Sequence, residues 1–221
     1  MWASHAEVSA DRVASLAATL KQNQIRYQKV YVHRTQHAGY FPGAQGMMIK
    51  LLFEPRQGVI LGAQIVGGSG VDKRIDVLAT AIQAQLSVSD LQDLELAYAP
   101  QYGAAKDPVN IAGYVAANAL SGDEHFIYAE DLSPDQLKNW VIVDVREPVE
   151  HEAGHIPGSL PIPLGMLRER WQEIPKDKPL VVYCAAGQRG YYASRILQQK
   201  GLQPRNLAGG YTTYCLVHHR C

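Results

Sequence analysis

One cysteine, placed between an apolar segment and a glycine-containing loop, is the most reactive candidate in the chain. Cys184 follows the apolar segment 180–183, and Gly187 and Arg189 come shortly after it. The backbone N–H groups of a loop that joins a strand to a helix stabilise negative charge, and the positive end of the helix dipole adds to this effect. Because the thiolate is the nucleophilic form of cysteine, the pattern predicts covalent nucleophilic catalysis at Cys184.

The residues around Cys184 leave room for a substrate and offer it a positive charge. Short side chains in the loop leave room for a substrate, and Arg189 would stabilise a negative charge beside the sulfur. The same N–H groups would hold the persulfide that Cys184 becomes when it accepts a sulfur atom. We therefore predict Cys184 and Arg189 as catalytic residues. The predicted persulfide and substrate loop contains Ala185, Ala186, Gly187, Gln188 and Gly190.

Two other interpretations of this cysteine are weaker. A lone cysteine at a strand end is most often buried and inert, but the glycine loop, the arginine and the helix start together favour a functional role. A thiolate phosphatase also combines a cysteine with an arginine, with one more residue between them than the four that separate Cys184 from Arg189. The shorter loop fits a single sulfur atom better than a tetrahedral phosphate.

Four spaced motifs within residues 123–221 resemble those of the rhodanese (sulfurtransferase) domain. The motifs are the strand end Val143–Pro148, the turn Glu152–Ser159, the loop Cys184–Arg189 and the turn Leu207–Tyr211. The resemblance implies a central parallel sheet with helices on both faces, and a cysteine that carries sulfur as a persulfide. Gly190 departs from the family, in which many members have Ser or Thr, so the site would lose a hydroxyl donor or a substrate contact.

Two charged residues and a histidine are predicted to support the loop. Asp144 and Arg146 lie at the end of an apolar segment, where a structural ion pair is favoured over a role in orienting the loop or the substrate. For His155, a structural position in a turn is favoured over proton transfer.

The segments that must position this loop alternate between strand and helix patterns. Apolar runs at 126–129, 141–145 and 180–183 predict strands, and Ser133 would cap a helix over 134–139. This alternation predicts an α/β domain with a parallel sheet over residues 121–221. The polar residues 121–124 mark its boundary with a first domain over residues 1–120.

Residues 1–120 have a different pattern, in which strands are grouped and helices pack against them. The predicted strands are 27–32, 47–53 and 59–66, with a hairpin turn at 54–58; the predicted helices are 7–22, 71–86, 88–94 and 108–120. This grouping predicts an α+β domain with an antiparallel sheet.

This first domain resembles the dimerisation domain of flavin-dependent pyridine nucleotide–disulfide oxidoreductases, and most closely the branch of coenzyme A disulfide reductase and NADH oxidase. The segments that carry the resemblance are His37–Ala44, Gly62–Gly67, Val71–Asp76, Tyr98–Pro100 and Lys106–Asn110. The resemblance implies a homodimer in which Tyr40 and Tyr98 face a thiol substrate. The alternative is that both tyrosines pack with satisfied hydroxyl groups.

The chain lacks the sequence features that a flavin-dependent reductase needs. Binding of FAD and of NADH or NADPH requires a Gly-x-Gly-x-x-Gly turn, and the glycines at 67–70 do not have that spacing. Residues 1–120 contain no cysteine. We therefore expect no cofactor on this chain alone, and FAD and NADH or NADPH are implied only for missing domains. An alternative function is a non-catalytic dimerisation or accessory module that acts only beside those domains.

Composition narrows the possible partners and the compartment. Lys and Arg total 21, equal to Asp and Glu, and no basic block favours nucleic acid. No apolar run is long enough to cross a membrane, and the first residues lack a secretory signal. Three cysteines without a CxxC pattern predict a reducing, cytoplasmic setting. The expected partners are a sulfane-sulfur donor and a thiol acceptor, with coenzyme A persulfide suggested by the resemblance.

The cysteines and histidines near the end of the sequence could in principle form a zinc site. They are Cys215, His218, His219 and Cys221. Two adjacent histidines are awkward ligands for one ion, so we predict no metal site.

Overall fold

The structure is a computed structural model that describes residues 19–219. The chain divides into two compact units between Ser121 and Gly122. The predicted helix at 7–22 lies largely outside the described residues, and only its last part, 19–22, is described and helical. Among the described residues, no helix is both long and apolar enough to span a membrane.

The first unit contains a three-stranded antiparallel sheet in the order β1-β2-β3. The strands are β1 Gln28–Thr35, β2 Gly46–Phe53 and β3 Ile60–Gly67; the helices are α1 Val71–Gln83 and α2 Pro108–Ser121. This arrangement confirms the predicted α+β fold with an antiparallel sheet. The helix predicted at 88–94 is only a 3-10 turn, Asp90–Gln92, because the Asp90 carboxylate accepts hydrogen bonds from the N–H and hydroxyl of Ser87 and closes a short local turn.

A buried ion pair joins α1 to the residue that precedes α2. Arg74 on α1 lies 2.7 Å from the Asp107 carboxylate, and both side chains are almost fully buried. Asp107 also accepts a hydrogen bond from the N–H of Val109 in the first turn of α2. Asn110 donates to the carbonyls of Leu91 and Leu94. The polar residues of the Lys106–Asn110 motif therefore stabilise the fold.

The second unit contains a five-stranded parallel sheet in the order β4-β8-β7-β5-β6. The strands are β4 Phe126–Ile127, β5 Val141–Asp144, β6 Leu160–Pro161, β7 Leu180–Tyr183 and β8 Pro204–Leu207. The helices are α3 Pro134–Leu137, α4 Pro148–Ala153, α5 Leu167–Arg170, α6 Gln188–Gln199 and α7 Gly210–His218, with 3-10 segments at Ala129–Asp131, Leu164–Met166 and Trp171–Glu173. The predicted parallel α/β fold is confirmed.

Two apolar clusters cover opposite faces of the central strands β5 and β7. Val143 and Val182 belong to one cluster, and Ile142 and Val181 belong to the other. This alternation is expected for strands buried on both sides. Because β5 and β7 are parallel neighbours, the residues that follow them meet at one edge of the sheet, where ligands bind in open α/β sheets.

Candidate functional site

Cys184 lies where β7 ends, in the loop that leads into α6. Its side chain is buried, and its Sγ accepts a hydrogen bond of 3.1 Å from the backbone N–H of Gly187. Gly187 precedes the first turn of α6 and has a φ of +102°, a conformation that disfavours residues with a side chain. The loop therefore aims a backbone donor at the sulfur, as the sequence predicts.

The turn before α7 holds the back of this loop. The N–H of Tyr211 donates to the Cys184 carbonyl at 2.7 Å, and the N–H of Thr212 donates to the Ala185 carbonyl at 3.0 Å. A Cβ atom at Gly210 would overlap the Cys184 carbonyl oxygen, and Gly210 also has a φ of +63°. The Leu207–Tyr211 motif is thus explained, because only glycine lets α7 approach the loop so closely.

Arg189, in the first turn of α6, forms a two-pronged ion pair with Glu150 of α4. The two guanidinium nitrogens lie 2.6 Å from the two carboxylate oxygens, and each side chain is 32% exposed. The hydrogen bonds that Arg189 donates to Glu150 raise the pKa of Arg189, and the charge of a Cys184 thiolate contributes less to the same shift. Arg189 therefore forms an ion pair with Glu150, and its charge also interacts with the sulfur of Cys184.

Glu150 was not among the sequence-predicted site residues. The sequence does contain a pattern that indicates its position. The spacing of Glu147, Pro148 and Glu150 is that of a helix capping box, which places Glu150 in the first turn of a helix. In the structure, Glu150 accepts a hydrogen bond from the N–H of Glu147. The hydrogen bonds from Arg189 lower the pKa of Glu150.

Asp144 and Arg146 form a second pair at the same edge of the sheet, and it is buried. Arg146 Nη2 lies 2.7 Å from Asp144 Oδ2. The Tyr183 hydroxyl also donates to Asp144 at 2.8 Å, and His151 Nδ1 lies 2.9 Å away. Burial acts to raise the pKa of Asp144, but the hydrogen bonds from Arg146, His151 and Tyr183 outweigh it and lower the pKa.

Arg146 connects this pair to the turn that supports the loop. It donates to the Gly154 carbonyl at 2.7 Å, and its guanidinium lies 4.3 Å from the ring centre of Tyr211. His155 is exposed and stacks on His151, with ring centres 3.9 Å apart. The structure therefore places Asp144 and Arg146 in a buried network and His155 at its outer side.

A second buried carboxyl lies behind the loop. The Asn206 amide donates to Glu124 Oε1 at 2.6 Å and to the Gly187 carbonyl at 3.0 Å. Burial raises the pKa of Glu124 to about 7, although the hydrogen bond from Asn206 opposes that shift. Asn206 therefore links a titratable carboxyl to the last residue of the loop.

The Asn206 side chain also lies against Gly190, the position that departs from the family pattern. A Cβ atom at Gly190 would overlap Asn206 Oδ1. The space for a side chain at Gly190 is thus filled by the Asn206 amide, which donates a hydrogen bond to the Gly187 carbonyl. The expectation that the site loses a hydroxyl donor or a substrate contact at Gly190 stays a prediction.

Tyr40 and Tyr98, which the resemblance places opposite a thiol substrate, lie side by side on the surface of the first unit. The hydroxyl groups of Tyr40 and Tyr98 are 3.3 Å apart, and the side chains are 78% and 50% exposed. The hydrogen bond between the two hydroxyl groups raises the pKa of Tyr98. Their rings are therefore available to a ligand, and their hydroxyl groups contact each other.

The cysteines and histidines considered as zinc ligands near the end of the sequence are only partly described. Cys221 lies outside the described residues, and His218 Nε2 lies 2.9 Å from the Ala129 carbonyl oxygen. Across residues 19–219, His, Cys, Asp and Glu form no group of three or more that could hold a metal ion.

A parallel α/β sheet with a cysteine loop at its edge is the architecture of a rhodanese-like domain. The family model of the rhodanese-like domain matches residues 130–216. The model of the pyridine nucleotide-disulphide oxidoreductase dimerisation domain matches residues 13–107. The chain therefore combines these two domains, in the order that the sequence predicts.

Individual relatives share one or both of these domains. A coenzyme A disulfide reductase of Staphylococcus haemolyticus is 43% identical over 90 residues, which are 41% of this chain and 20% of that protein. The chain spans about a fifth of the length of such curated relatives.

Two solved structures cover most of the chain. The structure of Bacillus anthracis CoADR-RHD is 46% identical, with a TM-score of 0.87, over 90% of this chain and 36% of that one. A NAD-dependent persulfide reductase from A. fulgidus is 39% identical, with a TM-score of 0.79, over 88% of this chain and 35% of that one. The resemblance to part of a coenzyme A disulfide reductase-type protein is confirmed.

Proposed function

We propose that the rhodanese-like domain is a sulfurtransferase in which Cys184 carries sulfur as a persulfide. The thiolate Sγ attacks a sulfane sulfur, a new S–S bond forms, and the donor's S–S bond breaks so that its electron pair leaves with the remaining thiolate or sulfite. A thiol acceptor then attacks the outer sulfur of the persulfide, and the Cys184 thiolate is released.

The observation that carries this proposal is the hydrogen bond from the Gly187 N–H to Cys184 Sγ. A donor fixed by the fold stabilises negative sulfur without reorganising during the reaction. Arg189, which interacts with the Cys184 charge, adds a positive group on the same loop. The remaining loop residues, Ala185, Ala186 and Gln188, would line the substrate site.

We place this chemistry within a longer protein that also binds FAD and NADH or NADPH through other domains. The two matched domains are a dimerisation and a rhodanese-like domain, so the reduction of disulfides or persulfides falls to the rest of such a protein. A homodimer, a cytoplasmic setting and a low-molecular-weight persulfide such as coenzyme A persulfide are the partners and conditions that we propose. Tyr40 and Tyr98 would then face the thiol substrate.

Two other functions have less support. A purely accessory module would not need the sulfur of Cys184 to face a fixed N–H donor. A phosphatase would need more loop donors than the short stretch between Cys184 and Arg189 offers.

Thiocyanate formation from a sulfane donor and cyanide tests the proposal. The wild-type chain and the Cys215→Ser control are expected to turn over, and Cys184→Ser is expected to be inactive. Activity of Cys184→Ser equal to that of the wild type would overturn the assignment, and so would the inactivity of the wild type with every sulfane donor.

A further inference from the structure

The positive charge of Arg189, which interacts with the reactive cysteine, is already paired with a carboxylate. Glu150 binds Arg189 through two hydrogen bonds of 2.6 Å, so two of the five guanidinium N–H donors are occupied. The pair is half-buried, which makes the neutralisation stronger than in an ion pair in open water. An incoming substrate therefore meets an ion pair with no net charge.

The helix that supplies Glu150 adds further negative charge. Glu147 and Glu152 lie at the start of α4 and within it, and both are exposed. The arginine nearest to Glu150 in the sequence, Arg146, is buried and paired with Asp144, so it offers no charge to a substrate. Residues 147–153, which include α4, therefore carry the carboxylates of Glu147, Glu150 and Glu152 and no arginine or lysine.

We propose that Glu150 is a specificity-determining residue that makes the Cys184 site select sulfur donors without negative charge near the sulfane sulfur. The inference rests on the sulfur-transfer function proposed above and deepens it. A small hydropersulfide with a neutral or cationic tail would be preferred over thiosulfate, which has two negative charges. Glu150 acts through Arg189 and is therefore a positioning residue.

The transfer from a hydropersulfide balances without any further reactant. Cys184 Sγ forms a bond to the terminal sulfur of the donor, the donor's S–S bond breaks, and the electron pair leaves on the donor's thiolate. The proton of the transferred sulfur passes to solvent, and the resulting persulfide anion is stabilised by the Gly187 N–H.

A series of donors that differ only in the charge of the tail tests the proposal. The hydropersulfides of cysteamine, 2-mercaptoethanol and 3-mercaptopropionate have a cationic, a neutral and an anionic tail. With cyanide as acceptor, we expect the wild type to have a KM about fivefold lower for the cationic than for the anionic donor. Glu150→Gln should remove this difference by improving the anionic donor and thiosulfate, mainly through KM.

Two control variants separate specificity from structure. Glu173→Gln removes a similar, more exposed pair with Arg170 and should leave the donor preference unchanged. Glu150→Asp keeps the charge and should retain the wild-type order of donors, even if its overall rate falls.

Several outcomes would overturn the inference. It fails if the wild type prefers the anionic donor, if Glu150→Gln changes kcat equally for all donors, or if Glu150→Asp behaves as Glu150→Gln does. If Glu150→Gln does not fold, the wild-type and Glu150→Asp series decide the question. Failure of every donor with the wild type would instead contradict the sulfur-transfer function itself.

Discussion

The two arginine–carboxylate pairs beside the Cys184 loop have similar geometry and opposite surroundings. Arg146 and Asp144 are 5% and 1% exposed, whereas Arg189 and Glu150 are both 32% exposed. The Asp144 carboxylate has additional partners in His151 and Tyr183. The Glu150 carboxylate accepts most of its hydrogen bonds from Arg189.

This difference in exposure distinguishes a pair that stabilises the fold from a pair that a substrate can reach. A buried pair with all its hydrogen bonds made is costly to break, because removal of one partner leaves an unpaired charge in the interior. A half-exposed pair contributes little to stability, and solvent or a substrate can reach it. We therefore expect the Asp144 pair to maintain the edge of the sheet, and the Glu150 pair to control what reaches Cys184.

The largest effect is expected when the buried pair is broken. Asp144→Ala leaves Arg146 buried without its carboxylate and should lower the free energy of unfolding by about 4 kcal/mol. Urea denaturation measures this, with the exposed Asp177→Ala as the control. A loss as small as that of the control would show that the buried pair is dispensable.

The buried carboxyl of Glu124 differs from both pairs, because no arginine in the described part of the chain donates a hydrogen bond to it. Glu124 is bonded by the neutral Asn206 amide, and its pKa is about 7 against an ordinary value of 4.5. The stability that protonated Glu124 contributes is complete below pH 4.5 and is lost as the pH rises through 7.

Glu124→Gln should therefore become more stable than the wild type as the pH rises from 5 to 8. The gain should approach about 3 kcal/mol, because each pKa unit corresponds to about 1.4 kcal/mol. Chemical denaturation at several pH values measures it, and Glu152→Gln, which removes an exposed carboxylate, serves as the control. A stability difference that does not vary with pH would contradict the pKa of Glu124.

The contact at Gly210 tests whether the backbone, rather than either ion pair, holds the cysteine loop. Gly210→Ala places a Cβ atom against the Cys184 carbonyl in a left-handed conformation. We expect a loss of about 2 kcal/mol in unfolding free energy and slower persulfide formation. Gly165→Ala, which has open space around its Cβ position, should change neither. Normal persulfide formation in Gly210→Ala would show that the loop tolerates displacement.

The smallest effect on stability is expected at the half-exposed pair. Glu150→Gln should lower the free energy of unfolding by less than about 1 kcal/mol, because solvent screens the pair. A thermal or urea unfolding curve beside that of Asp144→Ala checks the contrast. Equal losses in the two variants would remove the distinction between the pairs.

Much of the fold could be predicted because its signals are local. The apolar run 180–183 and the residues after it predict a strand, a loop and a helix, and the structure contains β7, the Cys184 loop and α6 in that order. Pro134 and Pro148 begin short helices, and the pattern of Pro at a first helical position identified the one at Pro134. The short helix expected at 88–94 was wrong because the Ser87 and Asp90 side chains close only one turn.

The remainder depends on contacts between distant residues, which the sequence does not reveal. Glu150 and Arg189 are 39 positions apart, and Asn206 and Glu124 are 82 apart. The space beside Gly190 is occupied by Asn206 of β8, a contact that no local sequence pattern indicates. Neighbouring residues in the sequence were enough to predict that Cys184 is reactive. They did not predict that Glu150 pairs with the nearby Arg189.

The central claim is that Cys184 carries the transferred sulfur, and peptide-level mass spectrometry after treatment with a hydropersulfide tests it most directly. The account predicts that the peptide containing Cys184 gains one sulfur atom, that a thiol or cyanide removes it, and that Cys184→Ser gains none. An unmodified Cys184 in a folded chain, or added sulfur found only on Cys215 or Cys221, would contradict the account.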